Sequence, residues 1–296
     1  MQRSQSMQPY SEEPDYSLIE GLRQDPMPAD LRLSNPVFKI CVLIPAYNAA
    51  VTLEQLIRDL LPLTTQILVV DDGSSDETVK IARTFCDQGV AVIAHRQNRG
   101  KGAALQTGYA WVLKHDFDLL VTMDSDLQHL PDDLPGMVAI LQRDQLDFMI
   151  GSRFKEKWKI PFFRRTGNRF SSWIASNFCR QKIQDSQCGF RLFRLPACVP
   201  VLRAVAYNRF AVETEVILKI SLAGLRTGFA PIRVVYPKSK THQSYYRACG
   251  DTLIIFWLYT KEFYRRNFTR EGRKDLRRLR HRIWRQRKTE GSRLSE

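Results

Sequence analysis

The sequence predicts an α/β fold, a mostly parallel central sheet with helices on both faces. Three observations predict it. Short apolar runs alternate with stretches of helical spacing from about residue 39 to about residue 153, the pattern of successive strand–helix crossovers. The runs ending at Ile44, Val70 and Met123 each stop abruptly in polar residues. Hydrophobic content of 44% over 296 residues supports one large core.

Residues 1–36 are polar, carry Pro14, Pro26, Pro28 and Pro36, and read as a flexible leader. The body spans 37–246. Its first strand, Lys39 to Ile44, is expected to stop at Pro45, which cannot donate to a ladder. Leu53, Leu56, Ile57, Leu60 and Leu61 then keep helical spacing. Gln66 to Val70 is a second strand. It runs into Asp71 and Asp72, then Gly73, Ser74 and Ser75, a helix start that Asp72 is placed to cap. Val90 to Ala94 is a third strand. The helix opened by Asn98-Arg99-Gly100-Lys101-Gly102 carries small residues for close packing, with Arg99 and Lys101 read as surface charge.

Leu119 to Met123 is the central strand, followed by a helix around 132–143 and a strand from Asp147 into Arg153. The regularity then breaks. Phe162 to Arg180 and Ala211 to Leu222 read as helices. Strand-like alternation surrounds Gly189, and Gly228 to Tyr236 reads as a strand.

The central strand ends in Asp124-Ser125-Asp126. Residues two apart in a strand face the same way, and strand carboxyl ends form the ligand crevice of open α/β sheets. Two carboxylates turned to one point repel each other unless a hard cation such as Mg²⁺ or Mn²⁺ bridges them. The parallel ends at Ile44 and Val70 place Asp71 and Asp72 in the same crevice, where Asp71 can accept hydrogen bonds from a base or ribose. Arg153, Arg164, Arg165, Arg191, Lys238 and Lys240 form a basic ladder suited to phosphate.

Other chemistries fit less well. Neither Gly-x-x-x-x-Gly-Lys-Ser/Thr nor Gly-x-Gly-x-x-Gly occurs, so no Gly-rich phosphate cradle is expected. No Gly-x-Ser-x-Gly is present. Glycoside hydrolysis, with Glu213 or Glu215 facing Asp126, leaves the acid cluster and basic ladder unexplained. The six cysteines have no zinc spacing, and a reduced, cytoplasmic setting is expected.

Six stretches carry a family resemblance in their order and spacing: Ile44-Pro45-Ala46-Tyr47-Asn48, Val69-Val70-Asp71-Asp72-Gly73-Ser74-Ser75-Asp76, Asn98-Arg99-Gly100-Lys101-Gly102, Met123-Asp124-Ser125-Asp126-Leu127-Gln128-His129, Ile150-Gly151-Ser152-Arg153 and Asp185-Ser186-Gln187-Cys188-Gly189-Phe190-Arg191. From about 38 to 260 the chain resembles family 2 glycosyltransferases of the GT-A fold, particularly the dolichol-phosphate mannosyltransferase and polyprenyl-phosphate branch. The resemblance implies that Pro45, Tyr47, Val69 and Asp71 line the nucleotide, with Ser125 contacting the sugar nucleotide. Asp124, Asp126 and Gln128 are implied at the metal, Arg153 and Lys240 near the donor phosphates. Asp185, Gln187 and Glu215 are implied at the sugar and acceptor end, with Asp126, Asp185 and Glu215 catalytic. Mannosyl members often have Glu after the Tyr-Asn pair; here Ala49 removes that contact to a base.

The expected activity is metal-dependent, inverting transfer of a sugar from a UDP- or GDP-sugar to a lipid acceptor, a dolichyl or undecaprenyl phosphate. A lipid or glycan hydroxyl is the alternative acceptor. A nucleotidyltransferase and a non-catalytic adaptor are more distant rivals.

The formal charge of +14 belongs mainly to the end of the chain, where residues 261–288 hold 13 Lys/Arg against three acids. Leu276, Leu279, Ile283 and Trp284 make one apolar stripe amid arginines. Residues 247–296 are therefore expected to be a helical basic tail that meets an anionic membrane surface from the cytoplasmic side. No nucleic-acid recognition motif is present, and no uncharged run reaches the about 18 to 20 residues of a membrane span.

Overall fold

Seven strands, most of them rich in β-branched and other apolar residues, build one sheet in the order β3-β2-β1-β4-β6-β5-β7. The computed structural model describes residues 38–153, 162–179, 181–207, 211–235, 257, 260–261, 264 and 269–293. The 1–36 leader lies outside them. The strands are β1 (Ile40–Ala46), β2 (Gln66–Asp71), β3 (Val90–Ala94), β4 (Leu119–Thr122), β5 (Phe148–Ser152), β6 (Arg191–Arg194) and β7 (Thr227–Pro231). The helices are α1 (Ala50–Leu60), α2 (Thr78–Arg83), α3 (Lys101–Val112), α4 (Leu134–Arg143), α5 (Phe162–Cys179), α6 (Leu195–Leu202), α7 (Ala211–Ala223) and α8 (Arg270–Arg293). The expected architecture of a mostly parallel sheet with helices around it is found.

β1 is buried along its whole length between β2 and β4, both parallel to it. It continues through Pro45 to Ala46, where a stop was expected. Leu43 O accepts the N–H of Met123 at 3.1 Å, and Ala46 O accepts that of Asp72 at 2.8 Å. Odd-numbered residues of β1 therefore face β4, whose ladder ends at the Leu43–Thr122 pair. The donor that Pro45 lacks would point past the end of β4, so its absence breaks no bond.

Small residues do bring α3 onto the sheet. Ala104 is fully buried, and a Cβ on Gly108 would lie 2.3 Å from Leu43 Cδ1. β6 is antiparallel to both β4 and β5, with Thr122 and Ile150 opposite Arg191. An antiparallel strand starts where its parallel neighbours end, so the segment before β6 is delivered to the crevice edge. Strand geometry covers only Arg191–Arg194 of the alternating stretch, and 185–189 forms a loop. β7 is shorter than the apolar pattern suggests, ending at Pro231. Val234 makes a single bridge to His129. Nothing in the spacing announced α6, which follows β6 directly.

The apolar stripe of α8 faces the protein rather than a membrane. Ile283 is 4% exposed, Leu276 and Leu279 pack on the core, and the helix lies against α6 and α7. Arg280 Nε donates to Leu222 O at 3.1 Å. Trp284 remains outside at 58% exposure, with Arg273, Lys274, Arg277, Arg278 and Arg285 also exposed. Ile283→Ala should therefore cost about 2 to 5 kcal/mol of stability, read from the urea midpoint. A loss under about 0.5 kcal/mol, the usual bound for a surface change, would contradict this docking. Among the described residues no helix is long and apolar enough to cross a membrane.

Candidate functional site

The loops after β1 and β2 are clipped together. Asn48, at φ 49°, donates its N–H to Ser74 Oγ at 2.8 Å, and its own Oδ1 accepts the N–H of Ser75 at 2.9 Å. Ala49 N–H donates to Thr78 Oγ1 at 2.8 Å. Asp71 is 1% exposed. Its Oδ2 accepts the N–H groups of Gly73 and Ser74 at 3.1 and 2.9 Å, and Ser74 Oγ donates to Oδ1. Its carboxylate thus shapes the turn at this end of the crevice. Pro45 is buried and Tyr47 half-buried beside it. Val69 is fully buried inside β2 and backs the crevice without presenting surface to it.

Asp72 does not cap the helix after Ser74 and Ser75. Its Oδ1 meets His95 Nδ1 at 2.7 Å and the Arg99 N–H at 3.0 Å, and Oδ2 accepts the Gly100 N–H at 2.7 Å. This buried carboxylate satisfies the turn that launches α3, which no local pattern reveals.

The first residue of α3 gives the largest correction. Lys101 was expected to be surface charge. Its Nζ instead lies 2.7 Å from Asp124 Oδ1 and 2.5 Å from Glu213 Oε1. Burial alone would lower the Lys101 pKa, but Asp124 and Glu213 outweigh it and hold the ammonium charged. Burial likewise opposes ionisation of Asp124, and Lys101, with Arg191, reverses that and keeps its carboxyl below the ordinary range.

Asp124, Ser125, Asp126 and Gln128 are all half-buried on the loop leaving β4. Thr52 Oγ1 donates to Ser125 O at 2.6 Å, tying this loop to α1. Leu127 takes φ 56°, which lets the Gln128 N–H donate to Asp126 Oδ1 at 3.0 Å. The loop before β6 closes the far side: Thr122 Oγ1 donates to Gly189 O at 2.9 Å, and a Cβ on Gly189 would sit 2.3 Å from Asp124 Oδ2. Gly189→Ala should therefore displace Asp124. About a hundredfold loss of turnover is expected, the scale of a misplacement near 1 Å, with a thermal midpoint that moves little. Retention of full turnover would mean that Asp124 need not sit where it does.

Arg153 and Asp185 pair with each other. Nε and Nη2 reach Oδ2 and Oδ1 at 2.6 and 2.8 Å. The Gln187 N–H adds a bond to Oδ1 at 3.2 Å, and Gln187 Nε2 donates to Ser171 Oγ at 3.3 Å. Burial would raise the Asp185 pKa, but Arg153 overcomes it and holds the carboxyl below its usual range. Burial pushes the His129 imidazole down to about 4, so this ring is neutral near pH 7.

Two expected positions serve the scaffold. Arg191 is 3% exposed and donates to the carbonyls of Cys188, Glu213 and Ser186 at 2.8, 2.8 and 3.0 Å. It fixes the loop before β6 to the start of α7, where phosphate binding was expected. Glu215 turns away from Lys101. Its carboxylate accepts the N–H groups of Ala206 and Tyr207 at 3.0 and 2.9 Å and pairs with Lys219 at 3.0 Å. Glu213 is the acid of α7 that joins the Asp124 cluster. The side chains of Arg164 and Arg165, and all of Lys238 and Lys240, lie outside the described residues.

The donor set suits a hard cation that keeps open positions. Among the described residues no group of three His, Cys, Asp or Glu is arranged to enclose a metal. Two carboxylates on one loop, with ligand phosphate oxygens completing the shell, is the usual arrangement for Mg²⁺.

Residues 41–206 match the model of glycosyl transferase family 2. A UDP-N-acetylglucosamine–dolichyl-phosphate N-acetylglucosaminyltransferase of Methanococcus voltae is 29% identical over 244 residues, covering 76% of this chain and 94% of that one. An undecaprenyl-phosphate 4-deoxy-4-formamido-L-arabinose transferase of Salmonella choleraesuis is 29% identical over 184 residues, 59% of this chain and 54% of its own. Among solved structures, a glucosyl-3-phosphoglycerate synthase of Mycobacterium tuberculosis, in complex with Mn²⁺, uridine diphosphate and glucosyl-3-phosphoglycerate, superposes with a TM-score of 0.52. It is 18% identical and the match covers 77% of this chain and 78% of that one.

Proposed function

This chain belongs to glycosyl transferase family 2, and from that premise we propose that it transfers a sugar, with inversion, from a nucleoside-diphosphate donor to a polyprenyl phosphate. The observation that carries this reading is the pairing of a metal-suited acid loop with acids already committed elsewhere. Asp124 and Asp126 stand at the crevice mouth. Asp185 is locked on Arg153 with its pKa lowered, and Glu215 is held by two backbone N–H groups. A general base works best with a pKa near the operating pH, and Asp185 is moved away from it. A phosphate acceptor is already anionic and needs no base, whereas a hydroxyl acceptor does. The dolichyl- and undecaprenyl-phosphate relatives support the same acceptor class.

Asp124 and Asp126, with Gln128 beside them, would hold Mg²⁺ or Mn²⁺, which supplies neutralisation of the diphosphate as it leaves. Pro45, Tyr47 and the turn built on Asp71 would receive the nucleoside, Val69 supporting them from the core. Ser125, anchored by Thr52, would present its backbone to the sugar nucleotide. Arg153 would orient the donor phosphates while remaining on Asp185, and Lys240 would add a second cation there. The outward basic face of α8, with Trp284, would hold the protein at an anionic bilayer by charge, because its apolar stripe is already covered by α6 and α7.

The test offers the full-length protein UDP- and GDP-sugars with Mn²⁺ or Mg²⁺ on acidic-lipid vesicles holding either a polyprenyl phosphate or the matching polyprenol. Sugar should reach the phosphate alone, and transfer should fall with added salt. Equal use of the alcohol would refute the acceptor assignment, and salt-independent transfer would refute the role of α8.

A further inference from the structure

We propose that Lys101 is the resident cation of the Asp124 site, neutralising that carboxylate before a divalent ion arrives and shifting onto Glu213 when one binds. The idea rests on the glycosyl-transfer reading above and extends it to how the metal site is kept assembled while empty.

One ammonium serves two carboxylates here. Lys101 Nζ bridges Asp124 Oδ1 and Glu213 Oε1, and the three side chains are 20%, 26% and 6% exposed. The carboxylates are the less mobile members. Asp124 is backed by Gly189 with no room for even a methyl group between them, and Arg191 Nη1 holds Glu213 O at 2.8 Å, pinning the first turn of α7. Lys101 is the mobile member, with a flexible four-carbon stem and three donors. Leu105, Tyr109, Val212 and Val216 line a small cavity beside the bridge, and the ammonium needs only a short swing to pass between its two partners.

A divalent ion on Asp124 and the ammonium on the same carboxylate repel each other. Complete departure of Lys101 would strand Glu213, and an unpaired buried charge is strongly destabilising. Among the described residues Glu213 Oε2 has no hydrogen-bond partner, which leaves it open to an ammonium that turns away from Asp124. Sharing the lysine meets both needs. Asp124 is held in place without a metal, and Glu213 is never left alone once the metal binds. Lys101 is therefore a positioning residue that sets the strength of metal binding from behind.

The readout is Mn²⁺ binding, followed by the loss of the free-ion electron paramagnetic resonance signal on titrating full-length, nucleotide-free protein. Removing the competing charge in K101M should tighten Mn²⁺ binding on the order of tenfold. E213Q leaves Lys101 with Asp124 alone and should weaken Mn²⁺ binding several-fold. If K101M folds poorly, the double variant K101M/E213Q, which removes the buried pair as a unit, carries the same expectation of tightening. Unchanged or weaker binding in K101M and in the double variant overturns the proposal. D126N separates this from failure of the underlying reading: if D126N binds Mn²⁺ like the wild type, the ion does not sit on the β4 loop and the reading itself fails.

Discussion

Replacing Asp126 by Asn is expected to lower kcat/KM for sugar transfer about a thousandfold while leaving the fold intact. Asp126 would help hold the cation that neutralises the departing diphosphate, and weakening that hold is worth about 4 kcal/mol in the transition state, where each 1.36 kcal/mol is tenfold in rate. The fold should tolerate the change because Asn keeps the oxygen that accepts the Gln128 N–H at 3.0 Å and leaves the Leu127 turn intact. Nucleoside diphosphate release and a urea melt on the same preparation check both halves. Retention of more than about a tenth of the activity, a loss under 1.4 kcal/mol, would remove Asp126 from the reaction. It would also revive the reading of this chain as a non-catalytic adaptor.

Asp185→Asn should be the most destabilising single change near the crevice, about 3 to 5 kcal/mol, because it breaks a buried ion pair from one side. The pair is nearly dry, with side chains 11% and 1% exposed, and the bidentate fork of Arg153 matches a carboxylate but not an amide. The pH dependence has a definite sign. The Asp185 carboxyl is held below its ordinary value, so as pH falls the unfolded chain takes up the proton first. The contribution of the pair is therefore full above about pH 4, the unfolded carboxylate range, and is lost as pH drops through the lower folded value. Unfolding free energies from urea melts of wild type and D185N should differ by several kcal/mol near pH 7 and converge in acid. A difference under about 1 kcal/mol at neutral pH would mean the pair is no better than a surface bridge.

Much of the scaffold was legible because it depends on local pattern. Fully buried parallel strands are continuous apolar runs, and β1, β2 and β4 were found where those runs are. Their polar ends were expected to share one edge, and the β2-β1-β4 order puts them there. The Asp-x-Asp loop could be located because an apolar run stops abruptly at two acids, although β4 itself ends at Thr122 and both acids lie on the loop beyond it.

What was missed depends on long-range partners. Lys101 read as surface charge because no one-dimensional spacing shows that Asp124 and Glu213 converge on it. Choosing Glu215 over Glu213 could not be decided by helical periodicity, since residues two apart on a helix face nearly opposite ways and the sequence does not say which face of α7 meets the sheet. Arg191 fitted a phosphate ladder by composition, yet an arginine at the start of a buried antiparallel strand finds carbonyls instead. Gly189 is visible in the sequence, but its purpose depends on the approach of Asp124 from another strand. Leu276, Leu279 and Ile283 of α8 do form one stripe packed on the core. Periodicity says that an apolar face exists and is silent on what covers it, and here α6 and α7 do.

We propose that the crevice built by Asp124, Asp126 and the loops after β1 and β2 splits a nucleotide-sugar between sugar and diphosphate, and gives the sugar to a lipid phosphate. The most direct test follows both products in one reaction of the full-length protein with a nucleotide-sugar, Mn²⁺ or Mg²⁺ and a polyprenyl phosphate. Free nucleoside diphosphate and sugar-bearing polyprenyl phosphate should rise together in equal amounts. Release of pyrophosphate would contradict the account and assign the site to nucleotidyl transfer instead.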